Sequence, residues 1–179
     1  ASFMRADGNY PFTLENGKYI TQEKRNNSDI HTWQGEANLF HTFHDESTLD
    51  VKAYYFYSER GLPGAVILYN PKAEERLWDE NFFTQARYKK TFSPKWTLQA
   101  QAKFNHSWNK YEDTDVKYEN GKQTDINRQD EYYLSAAMLY QPVKGLELSL
   151  AQDGFINTLH TNINDSPNPC LLYTSDAAD

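Results

Sequence analysis

The sequence predicts an all-β chain that forms one antiparallel, up-and-down sheet of about seven strands with one apolar and one polar face. The first observation is that apolar side chains alternate with polar ones through residues 95–108, KWTLQAQAKFNHSW. An alternation of period two is typical of a β-strand. The second observation is that the predicted strands are joined by connections that are alternately long and short. The third is a high aromatic content, with 13 Tyr, 10 Phe and 4 Trp in a chain that is otherwise polar.

The strand that begins at Trp96 is long for a water-soluble protein. Twelve residue steps of roughly 3.3 Å, tilted by about 40°, rise roughly 30 Å, which matches the apolar band of a membrane barrel with its aromatic girdles. A β-sandwich would place Gln99, Gln101 and Lys103 in its core, where unpaired polar groups are costly. A water-filled lumen accommodates them. The sequence therefore predicts a segment of an antiparallel up-and-down transmembrane β-barrel, with the apolar residues on the convex face.

The same alternation predicts the other strands. Residues 1–7 are expected to be the end of a strand, residues 12–24 a small hairpin with its turn at Asn16 and Gly17, and residues 25–29 a polar, exposed stretch. Six membrane crossings are predicted at residues 30–43, 48–58, 78–91, 95–110, 130–141 and 146–157.

The predicted connections differ in length between the two ends of the sheet. Residues 59–77 and 111–129 are expected to be long loops, and residues 44–47, 92–94 and 142–145 short turns. Short periplasmic turns and long extracellular loops are typical of transmembrane barrels. About seven strands cannot close a bacterial barrel, which has an even number, and a free edge is not viable in lipid. We therefore expect the sequence to be a fragment that forms an open, curved sheet.

The end of the chain differs from the rest. Residues 1–165 are expected to be a partial β-barrel and residues 166–179 a non-native or disordered tail. Within this tail, residues 170–179, CLLYTSDAAD, resemble a translated sequencing-adapter read-through and are excluded from fold reasoning.

Composition excludes several classes of function. The net charge of −7, without a cluster of Lys and Arg, argues against a nucleic-acid partner. No run of about 18 apolar residues is present, which excludes helical membrane spans. The single cysteine, Cys170, provides no disulfide framework.

The chain offers few candidates for a metal or catalytic site. His41 and His44 are three residues apart, so on a strand their side chains point to opposite faces. Glu112, Asp113 and Asp115 lie in a predicted loop without the spacing of a calcium-binding hand, which favours a solvated acidic tip. No nucleophile elbow, phosphate-binding loop or zinc pattern occurs. The sequence thus predicts neither an enzyme nor a cofactor.

Residues 58–64, SERGLPG, are the most distinctive stretch. One interpretation is a strand that leaves the membrane through a glycine and proline turn. The other is an extracellular loop that contacts a ligand, since binding residues concentrate on loops held by a rigid scaffold. The residue pattern does not decide between them. The candidate ligand contacts are Arg60, Gly61, Leu62, Pro63, Gly64 and Tyr69.

Four stretches resemble barrel strands of TonB-dependent outer-membrane receptors, most closely the Bacteroidetes cobalamin-receptor branch. These are residues 26–29 (NNSD), 35–39 (GEANL), 58–70 (SERGLPGAVILYN) and 79–83 (DENFF). The resemblance covers about residues 1–165. It implies a bacterial outer-membrane barrel of about 22 strands, closed by an N-terminal plug domain and driven by the TonB energy-transducing complex. No ligand contact of the plug can be assigned to this chain.

The expected function is therefore TonB-dependent uptake of a scarce nutrient, and the resemblance implies a cobalamin or related corrinoid. The implied partners are outer-membrane lipid, the receptor's own plug domain, the TonB complex and the transported small molecule. The alternatives are a ferric-siderophore receptor, an outer-membrane enzyme barrel and a soluble carbohydrate-binding module. An enzyme would need a catalytic constellation, and the aromatic residues at strand ends argue against a soluble module.

Overall fold

The computed structural model of this chain describes residues 1–64, 72–115 and 117–163 and the backbone of residues 170–171. The described residues form only strands, turns and irregular connections, and none forms a helix that is long and apolar enough to cross a membrane. The strands are β1 (Ser2–Ala6), β2 (Pro11–Asn16), β3 (Tyr19–Lys24), β4 (Ile30–Thr42), β5 (Thr48–Leu62), β6 (Glu75–Ser93), β7 (Trp96–Thr114), β8 (Lys122–Val143), β9 (Leu146–Thr161) and β10 (Cys170–Leu171).

One antiparallel sheet contains all strands except the β2–β3 hairpin. Its order is β1-β4-β5-β6-β7-β8-β9-β10, and every neighbouring pair is antiparallel. Apart from the two-residue β10, this is the predicted open up-and-down sheet of seven strands, which is confirmed. Its transmembrane character and its closure into a larger barrel stay predictions. The tail prediction is also untested, because most of residues 164–179 lie outside the described residues.

The connections alternate in length, as predicted. At one end of the sheet, here called the lower end, residues 43–47, 94–95 and 144–145 form short turns. At the opposite, upper end, residues 63–74 and 115–121 join the strands, and residues 7–29 carry the β2–β3 hairpin.

The predicted extent of the upper loops is wrong. Residues 59–62 and 75–77 belong to β5 and β6, and residues 111–114 and 122–129 belong to β7 and β8. The sequence predicted loops at these residues because they are mostly polar and lack the alternation of apolar and polar side chains. The cross-strand ladder nevertheless continues, with Glu112 paired to Thr124 and Thr114 paired to Lys122. The strands therefore extend well past the apolar part of the sheet.

The hairpin turn is shifted by one residue from the prediction. Asn16 pairs with Tyr19, so Gly17 and Lys18 form the two-residue tip. Gly17 has a φ of 62° and is the only one of the two with positive φ. This is the position at which a type II′ turn needs glycine.

Cross-strand register confirms the predicted division into two faces, because directly paired residues of an antiparallel sheet lie on the same face. Ala102 pairs with Ala86 of β6 and Leu134 of β8. Lys103, on the other face, pairs with Gln85 and Tyr133. We call the first the apolar face and the second the polar face. Which of the two is convex stays a prediction.

Aromatic residues form a row across five strands near the upper edge of the apolar band. The ring centroid of Phe104 lies 4.9 Å from that of Tyr132 and 6.3 Å from that of Phe82. Phe82 pairs with Tyr55 on the next strand. The Tyr55 ring lies 4.7 Å from that of Trp33, and this contact completes the row.

The lower edge of the apolar band also carries aromatic side chains. Trp96 stacks on Tyr140 with ring centroids 4.2 Å apart. Eight residue steps separate Trp96 from Phe104 on β7, which corresponds to roughly 26 Å along a strand. Between the two edges the apolar face carries mostly small and aliphatic residues, with Tyr88, Lys90 and Gln152 among them.

The apolar face has no protein layer packed against it within the described residues. Ala73, which is 7% exposed, is their only buried hydrophobic residue. Large apolar side chains of this face remain open, such as Leu150 at 70%, Leu134 at 64% and Leu39 at 59% exposure. A water-soluble sheet buries one face against another layer. The described sheet instead leaves its apolar band free.

Candidate functional site

The predicted ligand contacts lie at the upper end of β5. Arg60, Gly61 and Leu62 are its last three residues, and Pro63 and Gly64 follow directly. Tyr69 lies outside the described residues. Because successive strand residues point to opposite faces, Arg60 and Leu62 lie on the polar face and Gly61 on the apolar face. The sequence placed these candidates in an extracellular loop, whereas Arg60, Gly61 and Leu62 belong to β5 and are divided between its two faces.

Arg60 has the properties expected of a ligand contact. Its guanidinium Nη2 lies 3.0 Å from Oδ2 of Asp79, and its side chain remains 40% exposed. The Nδ2 of Asn109 donates a hydrogen bond of 2.7 Å to the other carboxylate oxygen of Asp79. The three side chains form a chain across β5, β6 and β7 on the polar face. This arrangement fixes a half-exposed cation on the polar face.

Hydrogen-bonding side chains continue along the polar face below Arg60. Asn81 donates to Asn105 at 3.0 Å, and Asn105 donates to Glu131 at 3.3 Å. Gln129 also donates to Glu131, at 3.1 Å. These groups bind one another across the strands, so the polar face is an ordered network. Such a surface can hydrogen-bond a second polar surface laid against it.

Gly61 has a packing role that the sequence analysis did not assign. It is buried, and a Cβ at this position would lie 2.5 Å from Oδ1 and 2.6 Å from the backbone oxygen of Asn27. The Gly61 amide donates a hydrogen bond of 2.9 Å to the backbone oxygen of Asp29. Glycine is required here because the segment before β4 lies directly on β5.

Asn27 is the residue that sequence reasoning missed. Its side-chain Nδ2 donates to the backbone oxygens of Leu62 at 3.1 Å and Glu75 at 2.7 Å. Leu62 and Glu75 are the last cross-strand pair of β5 and β6. Asn27 has a φ of 53°, a left-handed conformation that asparagine tolerates better than most residues. The expectation that residues 25–29 are simply exposed is therefore wrong.

Asp29 adds an ionic contact to the same place. Arg76 donates from Nη1 to Oδ1 of Asp29 at 3.2 Å and from Nη2 to Oδ2 at 2.9 Å. These hydrogen bonds hold the pKa of Asp29 below its ordinary value of 3.8. Arg76 also contacts Glu59 at 2.8 Å, and Glu59 lies 3.5 Å from His31. The network joins the start of β4 to the upper ends of β5 and β6.

The acidic residues near the 115–121 connection are paired with basic residues. Asp113 accepts hydrogen bonds from the Tyr118 hydroxyl at 2.6 Å and from Lys117 at 3.0 Å. These contacts hold the pKa of Asp113 below its ordinary value. Glu112 lies 2.7 Å from Lys110 and 2.8 Å from Lys122. The contacts of Asp113 and Glu112 thus stabilise the 115–121 connection and the strand ends beside it.

Neither of the two metal candidates forms a site in the structure. Among the described residues there is no group of three or more His, Cys, Asp or Glu side chains that could hold a metal ion. The His41 ring packs edge-on against Phe43, with centroids 4.5 Å apart. This contact gives His41 a packing role at the lower end of the sheet.

Comparison with known proteins adds no family assignment, since no protein-family model and no curated protein matches this sequence.

We expect Gly61→Ala to lower the free energy of unfolding by about 1–3 kcal/mol, because the added methyl group overpacks against the Asn27 backbone. Gly35→Ala is the matched control, because nothing lies within 4 Å of the Cβ position of Gly35, which is also a strand residue of the apolar face. Denaturant titrations of the two variants measure the difference. Equal effects would contradict the close approach at Gly61.

We expect Asp29→Asn to reduce the loss of stability that acid causes. A carboxylate whose pKa is lowered by folding stabilises the fold above its ordinary pKa of 3.8, and this contribution disappears as the pH falls through the lower folded value. Unfolding titrations from about pH 7 to about pH 2 measure this component. Asp7→Asn, at a side chain that is 71% exposed and lies outside this network, is the control for the change of charge. An unchanged profile in Asp29→Asn would refute the role of this pair.

Proposed function

We propose that this chain is a wall segment of a TonB-dependent outer-membrane receptor that takes up a scarce nutrient. The single observation that carries the proposal is the apolar face, which is bordered by aromatic residues at both edges and left uncovered by the described residues. Transmembrane barrels carry such a band, about 25 Å tall between two aromatic girdles. The eight residue steps between Trp96 and Phe104, tilted by about 40°, rise roughly 20 Å, which is slightly less than this height.

The free energy gained by removing apolar surface from water favours lipid as the environment of the apolar face. Apolar surface is stabilised by about 25 cal/mol for each Å² removed from water. Side chains such as Leu150, Leu134 and Leu39 do not gain this stabilisation from the described part of their own chain. Outer-membrane lipid supplies it. The antiparallel ladder satisfies the backbone groups of the inner strands, as lipid requires, and the open edges of β4 and β9 would need neighbouring strands of the whole barrel.

The polar face then lines the interior of the barrel. Its network of Asn81, Asn105, Gln129 and Glu131 offers amide and carboxylate groups to the receptor's own plug domain. Energy would reach that plug from the TonB complex on the periplasmic side. The wall is a rigid support in this scheme, so it needs no covalent chemistry and the chain is not an enzyme.

The proposed substrate is a cobalamin or a related corrinoid, on the basis of the resemblance of residues 26–29, 35–39, 58–70 and 79–83 to that receptor branch. The upper end of the sheet faces outward in this orientation, since the longer connections of bacterial barrels are extracellular. Arg60, with Asp79 and Asn109 behind it, is the described residue best placed to meet a polar ligand there.

We expect Ala100→Arg to destabilise the lipid-folded receptor by about 2–4 kcal/mol, because Ala100 would face lipid near the bilayer midplane. Gln101→Arg should cost far less, because Gln101 lies on the polar face and an arginine there would point into water. The two adjacent residues form a matched pair, and a lipid-folding titration measures both. Equal effects would contradict the membrane orientation of the two faces.

We expect replacement of residues 63–74 by a two-residue Asn-Gly turn to weaken ligand binding without preventing barrel assembly. The β5–β6 ladder ends at the Leu62–Glu75 pair, so the strands can be joined there by a tight turn. Binding titrations with cobalamin and with a ferric siderophore, beside heat-resistant migration of the folded barrel on a gel, test the expectation in a receptor that contains this segment.

The two ligands separate the possible outcomes. Binding of cobalamin that weakens in the shortened receptor supports the proposal. Binding of the siderophore alone overturns the substrate and leaves the receptor class. Unchanged binding after shortening removes the 63–74 connection from the site.

A further inference from the structure

Gln152 is a polar side chain in the middle of the apolar face. Its direct partner across the ladder is Ala136, which lies four residues from Tyr132 and four from Tyr140, the aromatic residues of the two edges. The Gln152 side chain is exposed, and within the described residues it donates one hydrogen bond, from Nε2 to the backbone oxygen of Asp153 at 3.2 Å. A glutamine amide has two donor hydrogens and a carbonyl acceptor. Its remaining donor and acceptor capacity therefore points to a partner outside the sheet.

A recess lies beside Gln152 on the same face. It has a volume of about 530 Å³ and extends across β6, β7, β8 and β9. The small residues that line it are Ala86, Ala100, Ala102, Ala136 and Gly154. Leu134, which also lines the recess, and Leu150, which lies next to Gln152 on this face, are both largely exposed. This part of the apolar face thus combines a depression with raised aliphatic side chains.

Gly154 has no explanation in the packing of its own described chain. Nothing lies within 4 Å of a Cβ built at this position, and its φ is not positive. Glycine weakens the interior of a strand, and there it often marks a place where another backbone or a ligand approaches closely. At Gly61 that approach is made by Asn27 of the same chain. At Gly154 the corresponding approach would come from outside.

We propose that Gln152 and this recess form an interface through which two copies of the receptor associate within the membrane. The interface rests on the proposed function, because it requires that the apolar face lies in lipid. An unpaired amide is costly in hydrocarbon. Interfaces inside membranes combine small residues, which let two backbones approach, with polar side chains that hydrogen-bond across the contact. Gln152 and Gly154 supply these two features on one strand.

A second copy is the occupant that matches Gln152 in both depth and chemistry. Two barrels inserted in the same direction hold equivalent residues at the same depth, so a two-fold axis along the membrane normal can bring one Gln152 opposite the other. The amide is its own complement, because the donor of each copy meets the acceptor of the other. The polar groups of a lipid lie in the headgroup region and do not reach the middle of the band.

Filling the recess tests the interface in a receptor that contains this segment. Gly154→Leu should raise the dimer dissociation constant in lipid vesicles at least tenfold, measured by energy transfer between separately labelled copies. Gly35→Leu is the matched control and should keep the wild-type constant. Both glycines are strand residues of the apolar face with nothing within 4 Å of the Cβ position, but only Gly154 lines the recess. Equal constants in the two variants would refute the interface.

Gln152→Leu tests the amide pair, because it roughly keeps the size of the side chain and removes its hydrogen-bonding groups. The dimer dissociation constant should rise severalfold, although leucine itself suits lipid better than glutamine. An unchanged or lower constant would contradict a contact between the two amides.

Disulfide cross-linking in the membrane tests the position of the axis. Gln152→Cys in a Cys170→Ser background, oxidised with copper phenanthroline, should give a covalent dimer on a non-reducing gel, because a disulfide requires Cα atoms within about 7 Å and traps even a weakened dimer. Leu49→Cys, in the same register row of the apolar face but on β5, should not. Equal cross-linking at both positions would indicate random collision and refute the interface.

Failure of this interface is distinguishable from failure of the proposed function. A receptor that folds into lipid and remains monomeric overturns the interface alone. A protein that does not enter lipid overturns both.

Discussion

The rest of the structure depends on one constraint, namely that the sheet has an apolar face for which its own described residues provide no cover. Folded soluble domains gain most of their stability by burying such surface. Among the residues that the structure describes, Ala73 is the only buried hydrophobic one. The hydrogen-bonded ladder organises the strands, and under the proposed function outer-membrane lipid supplies the remaining stabilisation. In that proposal, the aromatic residues at the two edges of the band lie where lipid meets water.

The two faces of the sheet make different kinds of contact. On the apolar face, contacts such as those of Phe104 with Phe82 and Tyr132 are packing contacts between rings. On the polar face, contacts such as those of Asn105 with Asn81 and Glu131 are hydrogen bonds. Since neighbouring residues alternate between these surfaces, a single substitution changes either the packing on the apolar face or the hydrogen bonding on the polar face, depending only on its register.

At the upper end the strands continue beyond the apolar band, and the interactions change in kind. Ion pairs and amide hydrogen bonds replace ring contacts, as with Arg76 and Asp29 or Arg60 and Asp79. Exposed ion pairs contribute little stability individually. Their value here lies in placement, because they join strand ends to the segments that precede and follow them. The hairpin, the segment before β4 and the ends of β5 and β6 consequently form one connected region.

The sequence by itself determined the strand type, the approximate positions of the strands and the face to which their side chains point, because an alternation of period two depends only on local backbone geometry. It placed Ala102 and Lys103 on opposite faces without any tertiary information. It could not determine where β7 ends and β8 begins, because the upper parts of both strands are polar and resemble a loop until their cross-strand pairing is known. Nor could it assign Asn27, whose partners Leu62 and Glu75 lie 35 and 48 residues away. Only the register of β4, β5 and β6 brings those backbone oxygens together, and only that approach explains why position 61 must be glycine.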